Sequence, residues 1–230
     1  MRYRLIIFDW DGTLMDSADR IVDCMQRAGV DAGWPALSRE AVRDIIGLGL
    51  PEAIARLCPG IGGAQAEHLR QRYAHHFVTA EREGSALPFF AGVEEGIIRL
   101  KAMPDVRLAV ATGKSRRGLD RIFAERDCGH WFDDSRTADM TRSKPDPLML
   151  IELLESLDVA LDEAVMIGDS VHDMGMAQAL GMDRVAVTWG VHNAQQLSDF
   201  SPASVVKDFH ELMSWLGAGI RQPAGSSVHE

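Results

Sequence analysis

The chain of 230 residues is poor in cysteine and has no long apolar run. Cys24, Cys58 and Cys128 stand far apart, without a CxxC pair or the Cys/His spacing of a zinc site, so we expect unpaired thiols in a reducing compartment. No run approaches the roughly 18 apolar residues of a membrane span. The apolar stretch Leu5–Phe8 is too short for a secretory signal. These observations favour a cytoplasmic protein.

Basic residues are also in deficit. Asp and Glu number 34 against 24 Lys and Arg, which gives a formal charge of −10. Such a surplus of acid argues against nucleic acid or an anionic membrane as partner. Lysine is especially scarce, with only four in the chain: Lys101, Lys114, Lys144 and Lys207. A length of 230 residues with a hydrophobic fraction of 46% fits one α/β domain, alone or with an insert.

Short apolar runs alternate with amphipathic segments through most of the chain. Continuous apolar runs of this length are typical of buried parallel strands, and their alternation with helical patterns predicts βαβ units. The predicted strands are 5–8, 106–111, 164–167, 184–187 and a short 205–206. The predicted helices between them lie near 117–126, 147–156, 172–180 and 193–198. The pattern therefore predicts an α/β fold with a parallel sheet.

The stretch from about 17 to 84 breaks this alternation, because it shows helical periodicity only. Ser17 is placed to cap its first helix. We therefore expect an inserted helical domain at 16–85 in a core formed by 1–15 and 86–216. The remainder, 217–230, is rich in Gly, Pro and Ser without periodicity and is expected to be disordered.

Two pairs of acids follow predicted strands. Asp9-x-Asp11-Gly12-Thr13 comes directly after the first, and Gly168-Asp169-Ser170-x-x-Asp173 comes after the run at 164–167. Open α/β sheets bind ligands at the carboxyl ends of their strands, and clustered carboxylates need a cation or a proton to relieve their repulsion. Taken singly, the first could be a solvated turn and the second a helix cap.

A hydroxyl and a lysine follow in similar positions. Thr112-Gly113-Lys114-Ser115 ends the second predicted strand, where backbone N–H groups could meet an anion. A P-loop is excluded, because that motif needs a glycine five residues before Gly113, and this position is Leu108. Lys144 stands in a Lys-Pro-x-Pro sequence that could fix it as a point charge for phosphate, although a surface lysine is the simpler interpretation of this segment alone.

The combination of these four motifs, in this order and spacing, resembles the haloacid dehalogenase-like superfamily of phosphotransferases. The resemblance runs from Leu5 to about Leu216. The helical insert looks like the helical cap of its phosphoglycolate phosphatase and β-phosphoglucomutase relatives. The resemblance implies a Rossmann-like doubly wound parallel sheet with an inserted helical cap domain, and the activity of a phosphatase for small phosphate monoesters.

The resemblance also implies roles for the motif residues. Asp9 would be the nucleophile that forms an aspartyl-phosphate, and Asp11 would be the general acid and then the base. Thr112 and the Gly113 N–H would hold phosphoryl oxygens. Lys144 would neutralise the phosphoryl group and hold Asp9.

A magnesium ion is the cofactor that the resemblance implies. Its ligands would be Asp9, Asp169 and the backbone carbonyl of Asp11, with Asp173 close by, directly or through water. Mg²⁺ keeps several waters and takes one or two carboxylates plus phosphate oxygens, which agrees with this set. Mg²⁺ and Lys144 would offset the repulsion between an attacking carboxylate and a phosphate dianion.

Other activities of the superfamily fit less well. Dehalogenases lack the second Asp, and phosphonoacetaldehyde hydrolases need a cap lysine, whereas no lysine precedes Lys101. Phosphomutases, which remain an alternative, usually have Val at the position of Thr13 and a basic cap loop, whereas the loop here is Gly47-Leu48-Gly49-Leu50. Two non-enzymatic alternatives remain: a phospho-receiver module, and a relative that has lost catalysis and acts as a binding protein. Receivers lack the helical insert.

The substrate is expected to be a small phosphorylated metabolite of the phosphoglycolate or sugar-phosphate type. In relatives with a cap, cap residues contact the leaving group, and Arg43 is the substrate-binding candidate here. Further cap candidates are the 47–50 loop, His75, His76 and Arg82. For each of these, and for Arg43, a solvated helix face is the simpler interpretation. His172 is expected to be exposed at a helix start, and Trp189 to be a packing residue. A monomer and a homodimer are both compatible with the sequence.

Overall fold

The computed structural model describes residues 2–84 and 86–217. Its strands are β1 (Leu5–Phe8), β2 (Arg107–Thr112), β3 (Asp134–Thr137), β4 (Ala164–Gly168), β5 (Asp183–Val187) and β6 (Ser204–Val206). They form one sheet in the order β3-β2-β1-β4-β5-β6, and every pairing is parallel. The chain therefore winds one way from β1 to β3 and the other way from β4 to β6, which confirms the doubly wound parallel sheet.

The helices divide into two groups. The first four follow β1 without an intervening strand: α1 (Ala18–Asp31), α2 (Arg39–Asp44), α3 (Leu50–Leu57) and α4 (Gly63–Glu83). The rest alternate with the strands: α5 (Val93–Lys101), α6 (Arg116–Arg126), α7 (Leu148–Leu157), α8 (Val171–Leu180), α9 (Ala194–Ser198) and α10 (Phe209–Trp215). Short 3₁₀ helices lie at Gly129–Trp131 and Leu161–Glu163.

Strand β1 is buried on both faces, as its unbroken apolar sequence predicts. Because side chains alternate along a strand, Ile6 and Phe8 join the hydrophobic cluster on one face of the sheet, and Leu5 and Ile7 join the cluster on the other. Each fully buried side chain of this kind contributes about 1.5–3 kcal/mol. The two clusters fix β1 in the centre of the sheet and so fix the position of the acids that follow it.

The helices α1–α4, which we call the helical insert, have a hydrophobic cluster of their own. Val22, Val42, Ile54 and Leu69, from all four helices, are among its members. The predicted domain boundaries stay a prediction; residue 85 lies outside the described residues. The expectation of a disordered tail also falls outside them, except at Gly217.

Strand β3 was not among the predicted strands. Its sequence is Asp-Ser-Arg-Thr, which is polar because the strand lies at the edge of the sheet and is only partly buried. The three cysteines are free and buried. None of the helices in the described part of the chain has the length and hydrophobicity of a membrane-spanning helix.

Candidate active site

The predicted motif residues meet where the winding of the sheet reverses. Asp9 follows β1, Thr112 ends β2, and Asp169 and Asp173 follow β4. Strand β1 lies between β2 and β4, so all of these residues lie at the carboxyl edge of three neighbouring strands. Open α/β sheets bind their ligands at this position.

Lys144 lies fully buried between two carboxylates. Its Nζ is 2.7 Å from Asp9 Oδ1 and 2.6 Å from Asp173 Oδ1. Burial lowers the pKa of the Lys144 ammonium, but the charges of Asp173 and Asp9 outweigh burial and raise that pKa above its ordinary value. The lysine is therefore a fixed positive charge beside Asp9, and the alternative of an exposed surface lysine is wrong.

Asp169 is held by the loop after β1 and by the loop after β5. Thr13 Oγ1 donates a hydrogen bond of 2.7 Å to Asp169 Oδ1, and the Val191 N–H donates one of 2.8 Å to Oδ2. Gly12 and Gly190 pack against the same carboxylate so closely that a Cβ at either position would overlap it. Asp169 thus has its orientation fixed by two donors and two glycines.

Negative charge exceeds positive charge in this buried group. Oxygens of Asp9, Asp169 and Asp173 can all lie within 4.8 Å of one another, and all three residues are buried, with Lys144 as the cation among them. Burial, followed by the charge of Asp173, raises the pKa of Asp9 well above its usual range and that of Asp169 to about 7. A divalent cation would remove this excess.

Asp9 itself has unused acceptor capacity. Lys144 Nζ lies close to its Oδ1, but neither carboxylate oxygen accepts a hydrogen bond of ordinary geometry from the described residues. Buried carboxylate oxygens normally have hydrogen-bond partners or bind metals. The oxygens of Asp9 therefore fit two roles, as a ligand for a hard cation and as a nucleophile.

Asp11 points away from this cluster. Ser17 Oγ donates a hydrogen bond of 2.6 Å to Asp11 Oδ1, and Lys114 Nζ lies 2.9 and 3.0 Å from its two oxygens. The prediction that Ser17 caps α1 with its side chain is wrong: its backbone is in the helical region, and its hydroxyl serves Asp11 instead. The side chain of Asp11 lies outside the three-carboxylate cluster. Its backbone carbonyl therefore remains the only group of Asp11 that is predicted to bind the metal.

The loop between α2 and α3 covers the end of β2. A Cβ at Gly113 would lie 2.5 Å from the carbonyl oxygens of Gly47 and Leu48, so glycine permits this contact. The Gly49 N–H donates a hydrogen bond of 2.8 Å to Ser143 Oγ, next to Lys144. The helical insert is thus closed over the Thr112–Gly113 turn.

Asp44, at the end of α2, makes a second contact between the insert and the core. His172 Nε2 donates a hydrogen bond of 2.9 Å to the Asp44 carbonyl oxygen, and His192 Nε2 lies 3.2 Å from Asp44 Oδ1. The expectation that His172 is exposed is wrong, because the insert covers the start of α8 and leaves it 3% exposed. Arg43 Nη2 donates to the Gly190 carbonyl oxygen at 3.1 Å, which places this substrate-binding candidate at the same contact.

The other predicted candidates lie in different surroundings. His76 Nε2 is 2.7 Å from Asp31 Oδ2 within the insert. His75 stacks edge-on against His76, and Arg82 lies near the end of α4. Trp189 packs against Phe90 and Phe209 in the core and donates its indole N–H to the Thr13 carbonyl oxygen at 3.0 Å.

Closure of the insert gives a first prediction. Gly113→Ala places a methyl group against the Gly47 and Leu48 carbonyls, so the 45–50 loop is expected to lose its contact with the core. Hydrogen exchange of the 45–50 amides should then rise at least about 10-fold, which corresponds to a free energy of local opening lowered by about 1.4 kcal/mol. The matched control is Gly62→Ala, where nothing lies within 4 Å of the added methyl. Equal exchange in both variants would contradict this account of the loop.

Comparisons with known proteins find similar sequences and structures. A family model described as haloacid dehalogenase-like hydrolase matches residues 6–187. The "Probable phosphatase IndB" of Dickeya dadantii is 33% identical over 215 residues, 91% of each chain. A phosphoglycolate phosphatase of Vibrio cholerae is 29% identical over 223 residues, 91% of this chain and 95% of the relative. A solved haloacid dehalogenase-like hydrolase from Bacteroides fragilis has a TM-score of 0.83 at 26% identity, covering 91% of this chain and 99% of the other.

The chain belongs to the haloacid dehalogenase-like hydrolase family. The predictions of the family, of the fold and of an enzyme like the phosphatases of this family are confirmed. The acids, the threonine and Lys144 were predicted as site residues from the sequence, but Ser17 and Lys114 were not predicted as partners of Asp11. The scarcity of lysine was the one signal that could have singled out Lys114.

Proposed function

We propose that this chain is a Mg²⁺-dependent phosphatase that hydrolyses small phosphate monoesters through an aspartyl-phosphate on Asp9. One observation carries the proposal. Asp9 is buried at the reversal point of the sheet, with oxygens that accept no ordinary hydrogen bond from residues 2–84 and 86–217, beside one lysine and two further carboxylates. A nucleophile for a phosphate dianion needs this combination of a free oxygen and nearby positive charge.

Asp9, Asp169 and the backbone carbonyl of Asp11 would hold the Mg²⁺ ion, and Asp173 would act directly or through water. The donors are all oxygens, which Mg²⁺ prefers, and their excess negative charge suits a divalent ion. When bound, the ion supplies positive charge that reduces the repulsion between Asp9 and the phosphate.

The side chains of this site divide the reaction between them. The Asp9 carboxylate attacks phosphorus, while Lys144 offsets the charge on the phosphoryl group. The Thr112 hydroxyl and the Gly113 N–H donate hydrogen bonds to phosphoryl oxygens. Asp11 gives its proton to the leaving alcohol and afterwards takes one from the water that attacks the aspartyl-phosphate.

The leaving group would lie against the insert. Ile21, Ile46 and Phe77 form an apolar cluster there, and the half-buried Tyr73 packs against it. Several relatives are named phosphoglycolate phosphatase. We therefore place phosphoglycolate and small sugar phosphates first among the substrates.

Phosphate release from a panel of monoesters, with and without Mg²⁺, tests the proposal. We expect release that depends on Mg²⁺ and is fastest for two- and three-carbon or sugar phosphates. A matched assay with phosphoryl acceptors identifies any transfer to a second sugar. Absence of release from every ester, or transfer in place of hydrolysis, would contradict the proposal.

Metal binding gives a second prediction, independent of turnover. Mg²⁺ at 100 times its dissociation constant should stabilise the folded chain by about 2.7 kcal/mol, which corresponds to a rise of roughly 5–10 °C in the unfolding midpoint. Asp169→Asn should remove the rise, because the amide cannot replace the anionic ligand. Asp162→Asn, at an exposed position, should keep it. Thermal unfolding followed by circular dichroism measures the shift, and a Mg²⁺ effect of equal size in Asp169→Asn would count against these ligands.

A further inference from the structure

Lys114 is the one lysine at the candidate site that the proposed roles leave unused. Its Nζ lies 2.9 Å from Oδ1 and 3.0 Å from Oδ2 of Asp11, so one ammonium contacts both oxygens of the carboxylate. The Lys114 and Asp11 side chains are only 11% and 10% exposed. A contact this well shielded from water is stronger than a surface ion pair.

The helical insert completes the surroundings of this lysine. The Lys114 Nζ lies 5.0 Å from the centroid of the Phe77 ring on α4, within the range of a cation–π contact. Phe77 is itself buried in the cluster that includes Ile21 and Ile46. The ammonium is therefore fixed between a core carboxylate and an aromatic ring of the insert.

We infer that Lys114 is a positioning residue that holds the Asp11 carboxyl group for its two proton transfers, an inference that rests on the proposed function. In the first transfer an Asp9 oxygen bonds to phosphorus, the ester P–O bond breaks with its electron pair passing to the leaving oxygen, and the Asp11 proton moves to that oxygen. Asp11 is left as a carboxylate, whose orientation is fixed by its contact with Lys114 Nζ and by the hydrogen bond from Ser17 Oγ. In the second transfer this carboxylate takes a proton from water as the water oxygen bonds to phosphorus and the Asp9–phosphate bond breaks.

Substrates with different leaving groups distinguish this role from two others that Lys114 could have. An alkoxide needs a proton in order to leave, whereas a carboxylate does not. A positioning role therefore lowers kcat/KM, which covers the steps up to phosphoryl transfer onto Asp9, with alkyl phosphates and not with an acyl phosphate. Direct binding of a substrate carboxylate by Lys114 would affect only esters that carry one, and a purely structural role would affect all esters alike.

The experiment compares two alkyl esters and one acyl phosphate whose leaving groups each have two carbons: 2-phosphoglycolate, 2-hydroxyethyl phosphate and acetyl phosphate. For Lys114→Met we expect kcat/KM to fall about 10–100-fold for the two alkyl esters, a part of the 10²–10⁴-fold that general acid–base catalysis supplies. For acetyl phosphate we expect a change below about 3-fold. Lys101→Met, which removes a lysine paired with Asp133 outside the site, is the matched control and should match the unsubstituted enzyme.

Phe77→Leu is the second variant, because it keeps an apolar side chain but removes the ring beside the ammonium. It should show the same difference between alkyl and acyl phosphates, at about 3-fold. A loss confined to 2-phosphoglycolate, or an equal loss with all three substrates, would overturn the positioning role while the proposed function stands. Failure of the unsubstituted enzyme to hydrolyse these three substrates and every other ester of the panel would overturn both.

Discussion

Asp9→Asn is expected to abolish phosphate release while leaving the protein folded. The amide cannot attack phosphorus, and removing a covalent nucleophile costs on the order of 10⁶-fold in kcat. Asp9 is one of three buried carboxylates that share one buried lysine, and its pKa is raised by burial and by Asp173. Neutralising it relieves repulsion, so the unfolding midpoint of the metal-free variant should be equal to or above that of the unsubstituted chain.

Loss of activity without loss of stability is the result that identifies Asp9 as the nucleophile and not as a residue needed for folding. Asp158→Asn is the matched control, because it makes the same chemical change at an exposed position that ends α7. Phosphate release and thermal unfolding are measured on both variants. Residual activity of Asp9→Asn above about a hundredth of the unsubstituted rate would mean that Asp9 is not the nucleophile.

Lys144→Met is expected to reduce both stability and activity. The Lys144 ammonium is the partner of Asp9 and Asp173, and its removal leaves those buried charges without a cation. Removing one partner of a buried ion pair costs about 3–5 kcal/mol, which corresponds to a midpoint lowered by roughly 10 °C. The loss of charge beside the phosphoryl group should lower kcat about 10²–10³-fold, by analogy with the removal of one donor from an oxyanion site.

Lys207→Met serves as the control for this variant, since Lys207 is exposed and changes at such positions are usually within about 0.5 kcal/mol. Denaturant unfolding gives the free energies, and phosphate release gives the rates. If Lys144→Met were as stable as Lys207→Met, the buried ion pairs described here would not hold the site together.

Strands with a continuous apolar sequence could be predicted to within about one residue at either end. Leu5–Phe8 and Ala164–Gly168 are buried on both faces, and strands of this kind have continuous apolar sequences that can be recognised directly. The edge strand Asp134–Thr137 could not be predicted in this way, because a partly buried edge tolerates polar side chains. The local pattern of apolar residues predicts which strands are buried, but it does not predict which polar segment pairs at the edge of a sheet.

The candidate site shows the same limit. Asp9 and Asp169 could be identified because each follows a predictable strand, and the sheet brings strand ends together. The partners of Asp11 could not, because Ser17 and Lys114 are 97 residues apart and meet only through tertiary structure. His172 was expected to be exposed for a similar reason: its burial depends on the insert folding back onto α8.

The central claim is that Asp9 carries the phosphoryl group during turnover. Its most direct test is rapid acid quenching of the Mg²⁺-loaded enzyme during hydrolysis of its best ester, followed by peptide mapping with mass spectrometry. We expect an acid-stable, base-labile acyl phosphate on the peptide that contains Asp9, and its loss in Asp9→Asn. A phosphoryl group on another residue, or turnover without any phosphoenzyme at every quench time, would contradict it.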